Sequence, residues 1–508
     1  MLLAVLAQLV VLSTTRAVTV SNTLAQTFTG IGGSGAWWPH DLFRFPDAVR
    51  QNLSTLLFSQ SGLGLTSYRF NIGGGGVGVI DPVRAPETFY VRAGVYNFSA
   101  DPQGVFFMQQ AAAHGVPSVT AFVNSAPAPL TSNRASCGGT FVNGTGVAYG
   151  TFVADVIAHW RAAGVPINFI SPMNEPDNSF GTPGSCGQEG MQVSANQSSL
   201  RFNLGIIPLI TLRRRAEVVN GVFSGLQARN LTGVVGILAD ESSSLGLATS
   251  EYRTWLPAVV DKVAAIVHHT YDFPSDASYT YFINTVRSIA PNKSTWMSEV
   301  CCSLGTPAGT GKSFAQGYDP TINNALMFSG MVFQSLVLGS EPHYDWWTLV
   351  SLQLGCSPTG DATCPTRTNG NGWTDGLIYY DPNYATNGNH NLYLVKHFWT
   401  YKHFGNFVKP GSIRRPLTGS DATANMLALT TPDGTGYTLI LMNPNTTDST
   451  LSVTFPAGET VCAKGAVRTS ASEDFASVAL ATRSGSAWTV VLRALSLTTY
   501  TFRRGTAC

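Results

Sequence analysis

The sequence predicts an α/β fold, a (β/α)8 TIM barrel, followed by a C-terminal antiparallel β-sandwich. Between residues 30 and 400, short apolar segments alternate with helix-like segments, which is the pattern of parallel βα units. Eight such apolar segments can be counted, as a closed barrel requires. After about residue 405 helical periodicity stops and alternating segments replace it, which favours a separate antiparallel domain.

The eight predicted strands are short and bounded by polar or glycine-rich segments. They cover residues 28–33, 65–71, 118–124, 168–175, 234–240, 264–271, 294–299 and 343–349. Among the intervening helices we predict residues 46–59, 147–163, 215–229 and 323–338. Pro46 suits the first helical position, and Gly164 and Gly339 suit helix ends.

The C-terminal part is predicted to be a small β-sandwich. Its alternating segments cover residues 426–431, 437–442, 451–455 and 488–492, with a turn at residues 432–436. The segment 18–29 is expected to add an N-terminal strand to this sandwich. We therefore assign residues 30–404 to a catalytic barrel and residues 405–508 to the sandwich.

The first 17 residues read as a secretory signal peptide, with an apolar run that ends in small residues near Ala17. The alternative is a membrane anchor, but the run is shorter than the roughly 20 residues that a bilayer requires. No later segment is expected to span a membrane. The sequence thus predicts a secreted, extracellular protein, which we expect to be a monomer.

Composition narrows the range of partners. The formal net charge is +1 and only 12% of the residues are charged, so nucleic acid and anionic membranes are poor candidates. Aromatic residues make up 11% of the chain, which suits a neutral polysaccharide because sugar rings stack on aromatic faces. No metal-binding spacing or cofactor motif is present, and we expect neither a metal nor a cofactor.

Eight cysteines in a secreted chain favour disulfide bonds. We predict that Cys356 pairs with Cys364 and that Cys462 pairs with Cys508. The other four can pair in three ways, and the sequence does not choose among them; they are Cys137, Cys186, Cys301 and Cys302. Seven N-glycosylation sequons predict a eukaryotic glycoprotein; they begin at Asn52, Asn97, Asn143, Asn196, Asn230, Asn292 and Asn445.

The predicted strands share one feature that packing does not explain, namely a polar or aromatic residue at or near the C-terminal end. Buried parallel strands are otherwise apolar, and a barrel collects its active-site residues at this end. The sequence therefore predicts an active site at the barrel mouth that contains Arg69, Asn124, Glu175, Asp240, Tyr271, Glu299 and Trp346.

Two of these residues, Glu175 and Glu299, form the pair that glycoside hydrolysis requires. They end the fourth and seventh strands, which fits the separation of about 5–5.5 Å found in retaining enzymes. We expect the charge of Glu299, the nucleophile, to raise the pKa of Glu175, which then serves as acid and base. Asn174 is expected to bind a substrate hydroxyl, Tyr271 to orient Glu299, and Arg69 to pair with it.

Several features have competing interpretations. Asp240 and Glu241 offer a second, less favoured carboxylate pair. His268 and His269 form no metal set; His269 is assigned to substrate binding and His268 to the barrel rim. The tryptophans at 37, 38, 346 and 347 serve packing or sugar stacking, and we assign Trp37, Trp38 and Trp346 to the substrate. The glycines at 73–76 lack the Lys-Ser/Thr of a phosphate loop, so they are expected to let the backbone approach a neighbour closely.

These motifs resemble glycoside hydrolase family 30, and most of all its fungal endo-β-1,6-galactanase branch. The matching segments are GIGGSGAWWP, SYRFNIGGGG, FVNSAP, SPMNEPD, QEGM, HHTYDF and WMSEVCC. The resemblance implies a (β/α)8 barrel with a β-sandwich, Glu175 as acid/base and Glu299 as nucleophile. It further implies that Arg69, Asn174, Tyr271 and Trp346 line the −1 subsite, and that the substrate is the β-1,6-galactan side chains of arabinogalactan proteins.

Residues 198–214 depart from the pattern of that branch, in which a segment like QVSANQ leads directly into RAEVVNG. The 17 intervening residues are apolar and basic. They are either a true loop or an intron retained in the translated sequence.

Two other functions remain open from the sequence. One keeps the mechanism and changes the polymer to β-1,6-glucan or glucuronoxylan. The other is a carbohydrate-binding barrel without turnover, which the presence of both carboxylates disfavours.

Overall fold

A computed structural model describes residues 16–195, 214–305 and 313–505. It contains a closed barrel of eight parallel strands, as the sequence predicts. In chain order the barrel strands are Gly30–Gly35, Ser67–Ile72, Ser118–Val123, Ile167–Ser171, Gly236–Ser242, Val263–His269, Thr295–Glu299 and His343–Trp346. We refer to them as the first to the eighth barrel strand.

Eight helices surround the barrel, one after each strand, and bury their apolar faces against it. They are Asp47–Phe58, Pro102–Ala113, Gly146–Ala162, Arg214–Ala228, Leu245–Trp255, Asp276–Ile289, Ile322–Phe333 and Lys396–Phe407. The four helices predicted from the sequence are all present. Three agree within one residue at each end, and the fourth, predicted at 323–338, is α-helical to Phe333 and π-helical beyond it. Pro46 precedes the first helical residue of its helix instead of occupying it. Short helices at Trp38–Leu42 and Tyr384–Asn387 lie in the loops.

The helix Ile322–Phe333 continues as a π-helical turn, Gln334–Gly339. Contrary to the expectation from the sequence, the whole segment is long and apolar enough to cross a membrane by length and composition. However, 78% of it is buried inside the protein. We therefore interpret it as a core helix of the barrel, where high hydropathy reflects burial against neighbouring strands and helices.

The second part of the protein consists of two sheets that enclose their own apolar core. One sheet contains Arg16–Val20, Leu417–Thr418, Ser449–Thr454, Thr482–Ser484 and Ala487–Leu492; the other contains Ile413–Arg414, Met426–Thr430, Gly436–Asn443, Val461–Thr469, Ala476–Ser477 and Ser496–Arg504. The N-terminal strand Arg16–Val20 pairs with Ser449–Thr454, so the start of the described chain is part of this unit. The helix Lys396–Phe407 spans the division predicted at residues 404–405.

Smaller sheets lie in the segments that connect barrel strands to the following helices. They pair Tyr90–Arg92 with Val95–Tyr96, Gly139–Thr140 with Met191–Gln192, and Val350–Ser351 with Ile378–Tyr380 and Leu392–Leu394. These strands are two or three residues long, too short to give a periodic signal in the sequence.

Disulfide bonds join Cys137 to Cys186, Cys301 to Cys302, and Cys356 to Cys364. The last of these confirms the predicted pair, and the first two select one of the three pairings that the sequence left open. Cys462 is also disulfide-bonded, but its predicted partner Cys508 lies outside the described residues. Residues 1–15 of the predicted signal peptide and residues 198–213 of the unusual segment lie outside them as well.

Candidate active site

A cleft of about 550 Å³ opens at the C-terminal ends of the barrel strands. Both carboxylates predicted from the sequence, Glu175 and Glu299, line it. The cleft also contains aromatic, amide and hydroxyl side chains, which suit a polyhydroxylated ligand. Its other lining residues are Trp37, Arg84, Asn124, Asn174, Asn178, Phe180, Gln188, Ser243, Tyr271, Cys301, Cys302, Trp347, Gln353, Trp373 and Asp375.

Glu299 is the last residue of the seventh barrel strand, and two donors hold its carboxylate. Arg69 Nη1 lies 2.5 Å from Oε2, and the Tyr271 hydroxyl donates to Oε1 at 2.9 Å. Both contacts were expected from the sequence. Since each oxygen accepts a hydrogen bond, the carboxylate is fixed in orientation at the floor of the cleft.

Glu175 follows the fourth barrel strand on the opposite side of the mouth. Its backbone has a φ of 41°, a left-handed conformation that is uncommon for non-glycine residues. The backbone N–H donates to the carbonyl of Glu241 at 3.0 Å, which holds this turn in place. Burial raises the pKa of Glu175, the charges of Glu299 and Asp177 add to that increase, and His269 opposes it. The sequence anticipated the effect of Glu299 but not the larger effect of burial.

The two carboxyl groups lie close together across the cleft. An oxygen of Glu175 lies within 4.8 Å of an oxygen of Glu299, and a ring nitrogen of His269 lies within the same distance of both. Retaining glycosidases place their carboxyl groups about 5–5.5 Å apart, whereas inverting enzymes need about 6.5–9.5 Å to admit a water molecule. The separation therefore favours direct attack by one carboxylate.

Beneath the pair lies a buried network of charges. Arg69 contacts Glu241 at 3.5 Å and donates through Nη2 to Asn174 Oδ1 at 2.6 Å. Burial alone would raise the pKa of Glu241, but the charge of Arg69 and a hydrogen bond with His269 hold it well below its usual range. The network thus keeps a permanent negative charge under the floor of the cleft.

His269 connects this network to Glu175. Its Nδ1 lies 3.1 Å from Glu175 Oε1, and its Nε2 lies 2.9 Å from Glu241 Oε2. Burial by itself lowers the pKa of His269, but the charges and hydrogen bonds of Glu299, Glu175 and Glu241 raise it to about 10. The ring is therefore an imidazolium at neutral pH.

Glu175, His269 and Glu299 together have the composition of a metal-binding cluster. Hydrogen bonds between His269 and its carboxylate partners account for the close approach of these groups. We therefore interpret the cluster as a proton-holding network.

The residues predicted from the sequence fall into three groups. Six line the cleft: Glu175, Glu299, Asn124, Asn174, Tyr271 and Trp37. Arg69 and His269 lie behind this lining, where they act on the carboxylates. Trp38 and Trp346 belong to the core, which corrects their assignment to the substrate.

The two misplaced tryptophans have clear structural roles. Trp38 donates through Nε1 to the Ser34 carbonyl and packs on Phe107 of a surrounding helix. Trp346 is 1% exposed and packs on Phe328, also in the helix layer. The strand ends at Trp346, and the residue after it, Trp347, reaches the cleft and contacts Trp37 with ring centroids 4.7 Å apart.

The second carboxylate pair considered from the sequence does not reach the cleft. Asp240 is 2.5 Å from Arg215 Nη1, and this arginine also contacts Glu251 at 2.7 Å. Glu241 is fully buried among Arg69, His269 and Ser298. His268, adjacent to His269, is buried against Glu341 instead of lying at the rim.

Loops supply most of the cleft residues that the sequence did not identify. Asn178, Phe180 and Gln188 come from the segment after Glu175, which a disulfide between Cys137 and Cys186 ties to the neighbouring loop. Gln353, Trp373 and Asp375 come from the segment after the eighth barrel strand. Loop segments have no helical or strand periodicity in their sequence. Only their aromatic residues indicated a role in sugar binding.

The glycine-rich segment 73–76 holds the loop that follows Glu175. The N–H groups of Gly74 and Gly76 donate to the buried carboxylate of Glu189 at 3.0 and 2.7 Å. A Cβ at Gly73 would lie 2.4 Å from the Pro86 carbonyl oxygen. This confirms that the glycines allow a close backbone approach, and it identifies the neighbour.

Comparison with known proteins agrees with this geometry. The sequence pattern of O-glycosyl hydrolase family 30 matches residues 15–353. An exo-β-1,6-galactobiohydrolase of Bifidobacterium longum subsp. longum is 23% identical over 414 residues, or 70% of this chain. The chain spans only 26% of the length of that protein.

Solved structures share the same fold. The catalytic domain of a family 30 xylanase C from Talaromyces cellulolyticus has a TM-score of 0.68 at 20% identity, with 97% of this chain and all of that chain covered. An endo-β-1,6-glucanase has a TM-score of 0.64 at 16% identity, with 96% and 94% covered. Because the family pattern spans more than half of the chain and the barrel is closed, the protein belongs to O-glycosyl hydrolase family 30.

Proposed function

We propose that this protein is a secreted, retaining endo-glycosidase that hydrolyses the β-1,6-galactan side chains of arabinogalactan by double displacement. The observation that carries the proposal is the pair formed by Glu175 and Glu299. The two groups lie close enough for direct attack, yet their surroundings differ. Glu299 accepts hydrogen bonds from Arg69 and Tyr271, whereas burial favours the protonated form of Glu175.

In the first half of the reaction, a carboxylate oxygen of Glu299 attacks the anomeric carbon. The glycosidic C–O bond breaks, and the proton of Glu175 passes to the leaving oxygen. The result is a covalent glycosyl ester on Glu299 and a free sugar chain. Removal of the charge of Glu299 then lowers the pKa of Glu175, which prepares this residue to act as a base.

In the second half, a water oxygen attacks the same anomeric carbon while its proton passes to Glu175. The ester bond to Glu299 breaks, and the carboxylate returns to its contacts with Arg69 and Tyr271. Two inversions at one carbon give net retention. Because Asn174 Oδ1 accepts from Arg69, its amide N–H groups are the part left to bind a substrate hydroxyl.

Three observations support β-1,6-galactan as the substrate. The motifs resemble those of fungal endo-β-1,6-galactanases, and the related Bifidobacterium protein is named an exo-β-1,6-galactobiohydrolase. The cleft presents the rings of Trp37, Trp347, Trp373 and Phe180, which can stack on the apolar face of a galactose ring.

Secretion is supported by the N-terminal sequence and by features of a protein from an oxidising compartment. Three disulfides join described cysteines. All six sequon asparagines in the described ranges are exposed, as N-glycosylation requires: Asn52, Asn97, Asn143, Asn230, Asn292 and Asn445.

A polymer panel tests this function. The enzyme is incubated with β-1,6-galactan, β-1,6-glucan and glucuronoxylan, and new reducing ends are measured beside a Glu299→Gln control. We expect β-1,6-galactan to be cleaved fastest, into oligosaccharides of several lengths. Preference for either other polymer would refute the substrate, release of a single disaccharide would refute the endo mode, and no release from any polymer would refute the activity.

A further inference from the structure

Asp375 is a third carboxyl group in the cleft, apart from the pair that carries the reaction. It lies in the segment between the eighth barrel strand and the helix Lys396–Phe407. Its exposed fraction is 8%, yet it lines both the cleft and an adjoining cavity of about 110 Å³. Trp37, Arg84 and Gln353 also line both spaces, so Asp375 lies where the two meet.

The backbone of Asp375 is held by contacts that do not involve its side chain. Its carbonyl oxygen accepts from the Trp346 indole at 2.8 Å and from the Thr348 N–H at 2.7 Å. The core tryptophan of the eighth strand therefore fixes the position of this residue. A substitution of the side chain leaves both hydrogen bonds in place.

The carboxyl group itself retains an unused acceptor. Within the described parts of the chain, no group donates a hydrogen bond to Asp375 Oδ1. Burial raises the pKa of Asp375 to about 6, against hydrogen bonds from Ser351 and from the backbone of Asp375 and Gly376, and against the charge of Arg84. A buried acceptor without a donor is costly in a folded protein, and the residue that carries this one lines the cleft.

The position of Asp375 indicates which sugar it contacts. Glu175 and the loop carrying Phe180 follow the fourth barrel strand, where the leaving group receives its proton. The eighth strand lies on the other side of the closed barrel, between the first strand and the seventh, which carries Glu299. The next residue after Trp346, Trp347, also donates its N–H to the Val300 carbonyl, directly after Glu299. The eighth strand and the segment after it, which carries Asp375, are therefore on the side of the cleft away from the leaving group.

We propose that Asp375 accepts a hydrogen bond from a hydroxyl of the neutral sugar on the non-reducing side of the scissile bond, and that it is a specificity-determining residue. The inference rests on the proposed function and names a contact within the same site. Trp37 and Trp347 offer aromatic faces nearby on which a sugar ring can stack. Stacking alone does not fix the orientation of the ring, and a hydrogen bond to Asp375 does. A sugar with a hydroxyl at the right position satisfies the buried acceptor, and one without it leaves the acceptor unpaired.

The test is binding of a β-1,6-galactooligosaccharide to the inactive Glu299→Gln protein, measured by calorimetry. Added to this background, Asp375→Ala should raise Kd by about 10- to 100-fold, as expected for loss of a hydrogen bond to a charged group. Asp375→Asn keeps one acceptor oxygen and the shape of the side chain, and should raise Kd by a smaller factor. Because asparagine also fills the same volume in the buried site, Asp375→Asn is expected to fold even if Asp375→Ala does not.

Asp101→Asn is the matched control. Asp101 is also a buried carboxyl, 5% exposed, with a pKa raised by burial to about 8, but it caps the helix Pro102–Ala113 and does not line the cleft. It should lower the unfolding midpoint and leave Kd within twofold.

Two results would overturn the inference, and only the second would also overturn the proposed function. If the background protein binds the oligosaccharide and a folded Asp375→Asn or Asp375→Ala variant leaves Kd within twofold, Asp375 has no part in recognition while the proposed function stands. If the background protein binds no β-1,6-galactooligosaccharide, the proposed substrate and the inference fall together.

Discussion

His269 allows a direct test of how this site sets the protonation of Glu175. The imidazolium lies 3.1 Å from Glu175 Oε1 and carries a positive charge at neutral pH, because its pKa is raised to about 10. A positive charge favours the ionised form of Glu175, so it lowers the pKa that burial raises. His269→Gln removes the charge and keeps a neutral donor. The pKa of Glu175 should therefore rise further.

The size of the change follows from the contact that is lost. A hydrogen bond to a charged group contributes about 1.5–3 kcal/mol, and one pKa unit corresponds to about 1.4 kcal/mol. Complete loss would raise the pKa of Glu175 by about 1–2 units. Since glutamine retains a neutral hydrogen bond, we expect a shift of about one unit.

The assay is the pH dependence of kcat/KM. Its alkaline limb reports ionisation of the acid in the free enzyme, and activity falls as the pH rises through the pKa of Glu175. In His269→Gln this limb should move about one unit toward higher pH, whatever the change in absolute rate. His268→Gln is the control, since this neighbour contacts Glu341 and not Glu175. An unmoved limb, a limb at lower pH, or an equal shift in the control would refute the reasoning.

Three further predictions concern the mechanism and the unusual segment. Glu299→Gln should keep the fold and abolish turnover, while early NMR spectra of the wild-type reaction should show β-configured reducing ends; α-anomers first would exclude retention. Glu175→Ala should still be glycosylated by substrates with good leaving groups, and azide should rescue it to a β-glycosyl azide; an α-glycosyl azide from Glu175→Ala, or a β-glycosyl azide from Glu299→Ala, would reverse the roles. Deletion of residues 198–214 should preserve soluble yield and activity per milligram, because this apolar segment contains Pro208, has no clear helical or strand face, and is unlike a solvated loop. An inactive or misfolded deletion form would show that the segment is integral to the fold.

The barrel could be predicted because its signals are local. Each strand is a short apolar segment, each helix has its own periodicity, and the order of the two determines a parallel sheet. The strands of the sandwich were harder to predict from the sequence. Two of its longest strands, Val461–Thr469 and Ser496–Arg504, were missed, because their residues are buried on both faces or only partly buried and do not alternate cleanly. Their place in the sheet is fixed by pairing with each other.

The sequence by itself determined the two carboxylates, since Glu175 and Glu299 come at or just after the ends of strands whose C-terminal ends must meet. It also identified Arg69 and Tyr271 as partners of Glu299, for the same reason. Tertiary structure decided which tryptophan faces the cleft, because the path of the chain after the eighth strand turns Trp347 and not Trp346 into it. It alone placed Asp375 there, because a loop without periodicity acquires its position only from the core that holds its backbone.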